Sequence, residues 1–381
     1  MRDQTRDAGG RRRFGLAALL AALVLAFAVG ACGGDDDGGG GGSASSGDKP
    51  KGKVGVILPD AASSARWETA DRKFLGEAFK SAGVDYDIQN ANGDKAKFAT
   101  IADQMINGGV TVLMLVNLDS PSAATVIKKA TDQGLATIDY DRLTLGGKAQ
   151  YYVSFDNVKV GSNIGEGLVK CMQDNGDDSG PVALLNGSPT DNNATLFKQG
   201  YEQAIKDAGY QIAADQSVPD WDNTKAGTIF EQMYTKVNGN LVGVASANDG
   251  LGGAVAAVLK RNGDTDKVPT TGQDATVEGL QRVLLGSQCL TVYKAIKKEA
   301  DAASDLAIAL IQGDRAKADS LASGSVEDTE TGEQVKSVLL DPQPIFKEQV
   351  KDVVADGFVS ADDVCGSAAL KKACDEYGVS G

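Results

Sequence analysis

The sequence predicts an α/β protein made of two doubly wound parallel-sheet domains, and three observations predict it. From Lys53 onward, short apolar runs alternate with longer stretches whose apolar residues recur at helical spacing, the pattern of a parallel sheet with helices on both faces. The length of 381 residues exceeds a typical single domain and suggests two. A composition of 42% hydrophobic residues, only 6% aromatic, with 47 glycines fits βα units built from Ala and Val with many tight turns.

The first run opens with a strand over 54–58 and a helix over 66–82 that carries Trp67, Ala70, Phe74, Leu75 and Ala78 on one face and ends at Gly83. A strand over 84–89 follows, then a helix with Phe98, Ile101, Met105 and Ile106 that stops at Gly108-Gly109. Next come a strand over 112–116, a helix over 123–133, a strand over 136–139 and a strand over 151–155. The second run starts with a helix over 160–172 and has strands over 182–185, 211–214, 241–245, 268–271 and 290–293. Residues 306–311 sit in a helix, 335–340 form a late strand and 346–355 a terminal helix. Hinge crossings are expected near 155–160, near 290–294, and before Val335. The first lobe is then 53–157 plus 294–334, and the second 158–293 plus 335–381.

Residues 1–31 do not belong to this fold. Arg11, Arg12 and Arg13 precede an apolar stretch over 14–29, and Val29-Gly30-Ala31-Cys32 closes it with small residues, the build of an export signal peptide. Cys32 at the cleavage point resembles a bacterial lipobox and is the expected lipidated first residue of the mature chain. Arg11-Arg12-Arg13-Phe14 also resembles a twin-arginine signal, so general secretory and twin-arginine export both stay open. Residues 32–50 read as a tether of Gly, Asp and Ser with nothing to bury, and 15 such residues reach about 20 Å. The net charge is −14; residues 1–31 carry five Arg and two Asp, so the mature chain carries −17. That excess argues against nucleic acid and against direct adhesion to anionic lipid, leaving the N-terminal lipid as the only membrane contact.

Four further cysteines, Cys171, Cys289, Cys365 and Cys374, suggest disulfides in an exported chain, with three connectivities possible. Short spacing favours a tail loop closed by Cys365 and Cys374. The chain has no histidine, which excludes a His-ligated zinc site, a Ser/His/Asp triad and a Cys/His dyad. Asp174, Asp177 and Asp178 lack the alternating oxygen ligands of a calcium loop and read as a solvated turn. Neither a metal nor a cofactor is expected.

The residues that follow the apolar runs carry the functional signal. They are Asp60 with Arg66-Trp67, Asp141-Arg142, Asp156-Asn157, Asp191 to Asn193, Asp220-Trp221, Asn248-Asp249, Asp274 and Lys294. Singly, each has a bland explanation as helix cap, surface charge or core tryptophan. Jointly they fall at the carboxyl ends of strands, the rim where open α/β sheets bind ligands. A cleft between two such rims, lined by fixed donors and acceptors and closed by indoles, suits a polyhydroxylated ligand. A glycoside hydrolase would need two carboxyls flanking one bond, but each candidate Asp has a charged or amide neighbour that holds it as an acceptor, and no Glu lies on the rim. Gly250-Leu251-Gly252-Gly253 lacks the third glycine of a dinucleotide fingerprint, with Val255 in its place. Binding, not catalysis, is expected.

With RW at 66–67, QNANG at 89–93, YDR at 140–142, SFDN at 154–157, SPTDNNA at 188–194, AND at 247–249, GQDA at 272–275 and TVYK at 291–294, the chain resembles the sugar-binding proteins of ABC importers, specifically their xylose-binding branch. The resemblance implies a periplasmic binding protein type I fold, two lobes joined by a three-strand hinge and closing on one monosaccharide. Carried over residue by residue, the sugar contacts are Arg66, Trp67, Asp141, Arg142, Asn193, Trp221, Asn248, Asp274 and Lys294, with Asp191 beside them. Asp141 and Asp274 would accept from hydroxyls, Arg66 and Arg142 donate, and Trp67 and Trp221 sandwich the ring. The implied protein is a monomeric extracytoplasmic lipoprotein on the outer face of the cell membrane that delivers D-xylose, or another aldose such as glucose or arabinose, to its permease subunits. A sugar-sensing receptor role stays open. The anchor, the tether, the extra cysteines and the tail after about Ala316 depart from the family pattern.

Overall fold

The computed structural model describes residues 52–380; the expected signal peptide, Cys32 and the tether lie outside the described residues. The first run supplies β1 (Lys53–Leu58), a π-helical turn (Trp67–Asp71) continuing into α1 (Arg72–Ser81), β2 (Asp85–Asn90), α2 (Lys95–Asn107), β3 (Val112–Leu115), α3 (Ser120–Asp132), β4 (Ala136–Tyr140) and β5 (Tyr151–Phe155). The second supplies α4 (Asn157–Asp174), β6 (Pro181–Asn186), α5 (Asn192–Asp207), β7 (Gln211–Ser217), α6 (Asn223–Lys236), β8 (Gly243–Ser246), α7 (Asp249–Asn262), α8 (Val277–Leu285) and β9 (Thr291–Tyr293). The chain then adds α9 (Ile296–Ile311), α10 (Arg315–Leu321), β10 (Gly324–Asp328), β11 (Glu333–Leu340), β12 (Gln343–Ile345), α11 (Val350–Ala355), α12 (Ala361–Val364) and α13 (Ala368–Tyr377).

The first lobe is a seven-stranded sheet in the order β10-β11-β5-β4-β3-β1-β2, parallel throughout except for the edge strand β10. Its inner strands β1 and β3 are apolar on both faces, as a sheet covered by helices on both sides requires. Val54, Val56 and Leu58 pack with Leu75, Phe79 and Leu306, whereas Ile57, Leu113 and Leu115 pack with Phe98, Met105 and Ile127. In the second lobe β7-β6-β8 are parallel, and β9 pairs with β12. Helices α4 and α5 pack so tightly that a Cβ at Gly161 would lie 2.1 Å from the Phe197 carbonyl oxygen.

Four expectations are corrected. Residues 268–271 form only one isolated bridge, Val244 to Thr270, with a second just beyond them, Gln273 to Val292. Pro269 has no N–H to give, and the Ser246 N–H donates to the Thr271 hydroxyl instead of a backbone carbonyl. The third crossing falls after β11, not before Val335: β11 pairs with β5 in the first sheet, Ser337 opposite Tyr152, and only at Asp341-Pro342 does the chain pass to β12 beside β9. The segment 335–340 therefore belongs with the first lobe. The helix expected over 346–355 is a 3-10 turn (Lys347–Gln349) followed by α11, and it is not terminal, because α12 and α13 follow and bury Leu370 and Cys374 with Leu280 and Val283 of α8. The polar strand β10 was not foreseen; its exposed sequence GSVED has no apolar run to betray it.

Two disulfides form, Cys171–Cys289 and Cys365–Cys374. One connectivity of the three is thus realised, with the tail loop as expected.

Candidate functional site

Local chemistry explains how each rim residue is delivered. After β1 the Asp60 carboxylate accepts the Ala62 and Ser63 N–H groups at 2.7 and 2.6 Å, turning the chain so that Arg66 and Trp67 open the π-helical turn. Asp191 caps α5 through one oxygen and Asn248 caps α7 through its carbonyl, and both also line the cavity described next. Asp141 at the end of β4, Trp221 and Asp274 adopt left-handed backbone angles, φ 62°, 55° and 96°. Such angles cost a non-glycine residue about 1–3 kcal/mol and persist where the surroundings enforce them. Gly187 is one reason for the Trp221 placement: any Cβ there would lie 2.0 Å from the indole.

The two rims enclose a narrow cavity of about 30 Å³. All ten residues expected at the site line it: Arg66, Trp67, Asp141, Arg142, Asp191, Asn193, Trp221, Asn248, Asp274 and Lys294. None is more than 7% exposed. Their charges are matched. Arg66 donates to Asp141 at 2.8 Å, and Lys294 lies 3.2 Å from Asp274 and 3.6 Å from Asp141. The Arg142 guanidinium lies 3.0 Å from Asp191 and donates to the Asn117 carbonyl. Asn193 donates to the Asp141 carbonyl at 2.9 Å and accepts from Asn157 at 3.0 Å. The Trp67 ring stacks under the Arg66 guanidinium, 4.3 Å to centroid, and the Trp221 N–H donates to Asp191 at 3.0 Å.

Burial works against every charge here, and partners overcome it where the group stays ionised. Burial pushes Asp141 up, but Lys294, Arg66 and Arg142 together bring it below the usual carboxylate range. Burial pulls Lys294 down, but Asp141 and Asp274 carry it above its ordinary value. Glu299 behaves oppositely: burial lifts it well above the ordinary glutamate range despite Arg66. What remains for a ligand is a set of fixed acceptors and donors with two indoles, and no free cation that would call for an anion. Among the described residues no cluster could hold a metal ion.

Sequence reasoning missed Ser63, Ser64, Phe197 and Gln273, which also line the cavity; the Ser64 hydroxyl and the Gln273 Oε1 are buried without a partner. It also missed Asp71 and Glu299 behind Arg66. Their signal was present, since each is an acid on the apolar stripe of a helix, Asp71 four residues from both Trp67 and Leu75, Glu299 between Ile296 and Ala303. Asp249 is placed behind the cavity, where it accepts from Thr276 and Gln288, and Asp156 caps α4.

A family model described as "Periplasmic binding protein domain" matches residues 54–315. The D-xylose-binding periplasmic protein of Escherichia coli (strain K12) is 33% identical over 311 residues, covering 80% of this chain and 90% of that one. The D-xylose-binding periplasmic protein of Haemophilus influenzae is 31% identical over 317 residues, covering 82% and 92%. Among solved structures, an ABC transporter solute-binding protein from Clostridium phytofermentans with bound β-D-glucose superposes with a TM-score of 0.72 at 23% identity, covering 82% of this chain and 99% of that one. These relatives are named for binding, none for a reaction. The fold is that of type I periplasmic binding proteins, and the chain belongs to the periplasmic binding protein domain family.

Proposed function

We propose that this protein binds a single neutral aldose, D-xylose first, in the cavity between its lobes and hands it to the permease of an ABC importer. The observation that carries this is the convergence of three carboxylates, three cations, two asparagine amides and two indoles on one buried cavity between the lobes. Hydroxyls need both donors and acceptors, and the C–H faces of a pyranose lie against indole. The similarity to two D-xylose-binding proteins supports xylose; the likeness to a glucose-bound structure keeps glucose as the second reading.

The direct bonds between lobes, Arg142 to Asp191 and Asn193 to Asp141, support closure about the crossings at Asp156, Lys294-Ala295 and Asp341-Pro342. Sugar contacting both lobes would shift the population toward this closed form, the form the permease would read. Cys32 as lipid anchor and residues 33–50 as tether would keep the protein at the outer face of the membrane. No described helix is long and apolar enough to cross one.

Calorimetric titration with D-xylose, D-glucose, L-arabinose, D-ribose and D-galactose tests the ligand. Micromolar or tighter binding of D-xylose alone fits the first reading, and comparable affinity for glucose fits the second. Silence with every sugar contradicts both. Incorporation of labelled fatty acid that is lost in Cys32→Ala tests the anchor.

A further inference from the structure

Arg66 is held more completely than a ligand-binding arginine on a rim needs to be. A guanidinium has five N–H donors, and four are used inside the protein. Nε and Nη2 form a fork on Asp71, 2.9 and 2.8 Å; Nη2 also donates to Glu299 at 2.7 Å; Nη1 donates to Asp141 at 2.8 Å. Asp71 is itself fixed, because Tyr140 donates to it at 2.7 Å. Both acids are fully buried and neither lines the cavity. Glu299 stands in the first turn of α9, five residues after Lys294, so one short segment after the second crossing carries both a cavity-lining cation and the acid behind the other one.

We infer that Asp71 and Glu299 are positioning residues that lock the Arg66 guanidinium in one plane and leave a single Nη1 N–H to aim at a sugar hydroxyl, with Glu299 tying that aim to the hinge segment that carries Lys294. The inference rests on the sugar-binding reading and goes beyond it, because neither acid touches the ligand. Preorganised donors lose little freedom on binding, and a loosened one costs affinity. The groups facing Glu299 are Arg66, Asp71, Asp141 and Lys294, with Tyr140 and Tyr152 beside them. Glu299 is the acid of this cluster whose second oxygen has no partner, and burial raises its carboxyl above the ordinary glutamate range.

The test measures D-xylose affinity by calorimetry between pH 5 and 9, with melting temperature alongside, for wild type, Glu299→Gln and Asp71→Asn. Glu299→Gln keeps the shape and an acceptor for Arg66 but removes the titration. The expected result is a loss of affinity of about tenfold in Asp71→Asn, and a pH dependence of Kd in wild type that is absent from Glu299→Gln, whose Kd matches wild type only at the acidic end of the range. Variants that melt at a changed temperature but keep the wild-type Kd at every pH would overturn the inference while sparing the sugar-binding reading. If Glu299→Gln does not fold, Asp71→Asn decides by the same Kd comparison. A wild type that binds none of the five aldoses overturns both.

Discussion

Arg142 of the first lobe and Asp191 of the second meet across the cleft, Nε to Oδ2 at 3.0 Å, both buried. The same Asp191 oxygen accepts the Trp221 indole N–H at 3.0 Å, and its other oxygen caps α5. One carboxylate thus joins the lobes, fixes an aromatic wall and starts a helix. Removing one partner of a buried ion pair leaves the other charge uncompensated, at a cost of about 3–5 kcal/mol. Arg142→Ala is accordingly expected to weaken D-xylose binding by two orders of magnitude or more in calorimetry, and an affinity within threefold of wild type would contradict this.

Lys294 is the cation between Asp141 and Asp274. Lys294→Met removes the largest of the attractions that hold Asp141 low, so Asp141 rises and one hydroxyl acceptor is lost over part of the pH range. The expected outcome is binding too weak to measure by calorimetry at neutral pH, with a folded far-ultraviolet circular dichroism spectrum.

The two disulfides should differ in weight. Cys171–Cys289 closes 118 residues and Cys365–Cys374 only 9. Loop-closure entropy then assigns about 5 kcal/mol to the first and about 2.5 kcal/mol to the second. Denaturant unfolding of Cys171→Ser/Cys289→Ser and of Cys365→Ser/Cys374→Ser measures both, and the long-loop variant should be the less stable.

Stability should fall as pH rises through the weakly acidic range. Burial raises Asp139 to about 7, against two bonds from Thr144 that pull it down. A folded value above the unfolded one means that stability is full below about pH 4 and lost as pH rises through 7. Asp249, raised to about 6 by burial, acts in the same direction. The stability of wild type relative to Asp139→Asn should therefore drop by up to about 4 kcal/mol between pH 4 and pH 7, read by denaturant unfolding across pH.

The rim was legible because each polar residue there follows an apolar run, and strand order does not alter which end of a parallel strand faces the cleft. That is why ten residues from seven separate stretches could be placed in one cavity. Second-layer acids were less legible. Asp71 and Glu299 look like ordinary helix charges until their three- and four-residue spacing to Trp67, Leu75, Ile296 and Ala303 is weighed, and only the fold shows that α9 and the Trp67–Asp71 turn meet. The lobe boundary near residue 335 was misplaced because β11 alternates buried Val335 and Ser337 with exposed neighbours, a pattern either sheet edge accepts; pairing with β5 depends on distant chain. The π-helical form of the Trp67–Asp71 turn leaves no mark in the sequence.

A crystal structure of the protein with D-xylose would show directly whether the sugar sits between the two lobes. One pyranose ring is expected between the faces of Trp67 and Trp221, with hydroxyls bonded to Asp141, Asp274 and Lys294 and contacts to both lobes. A sugar bound anywhere else, or an occupied cavity in which neither tryptophan faces the ring, would contradict this placement.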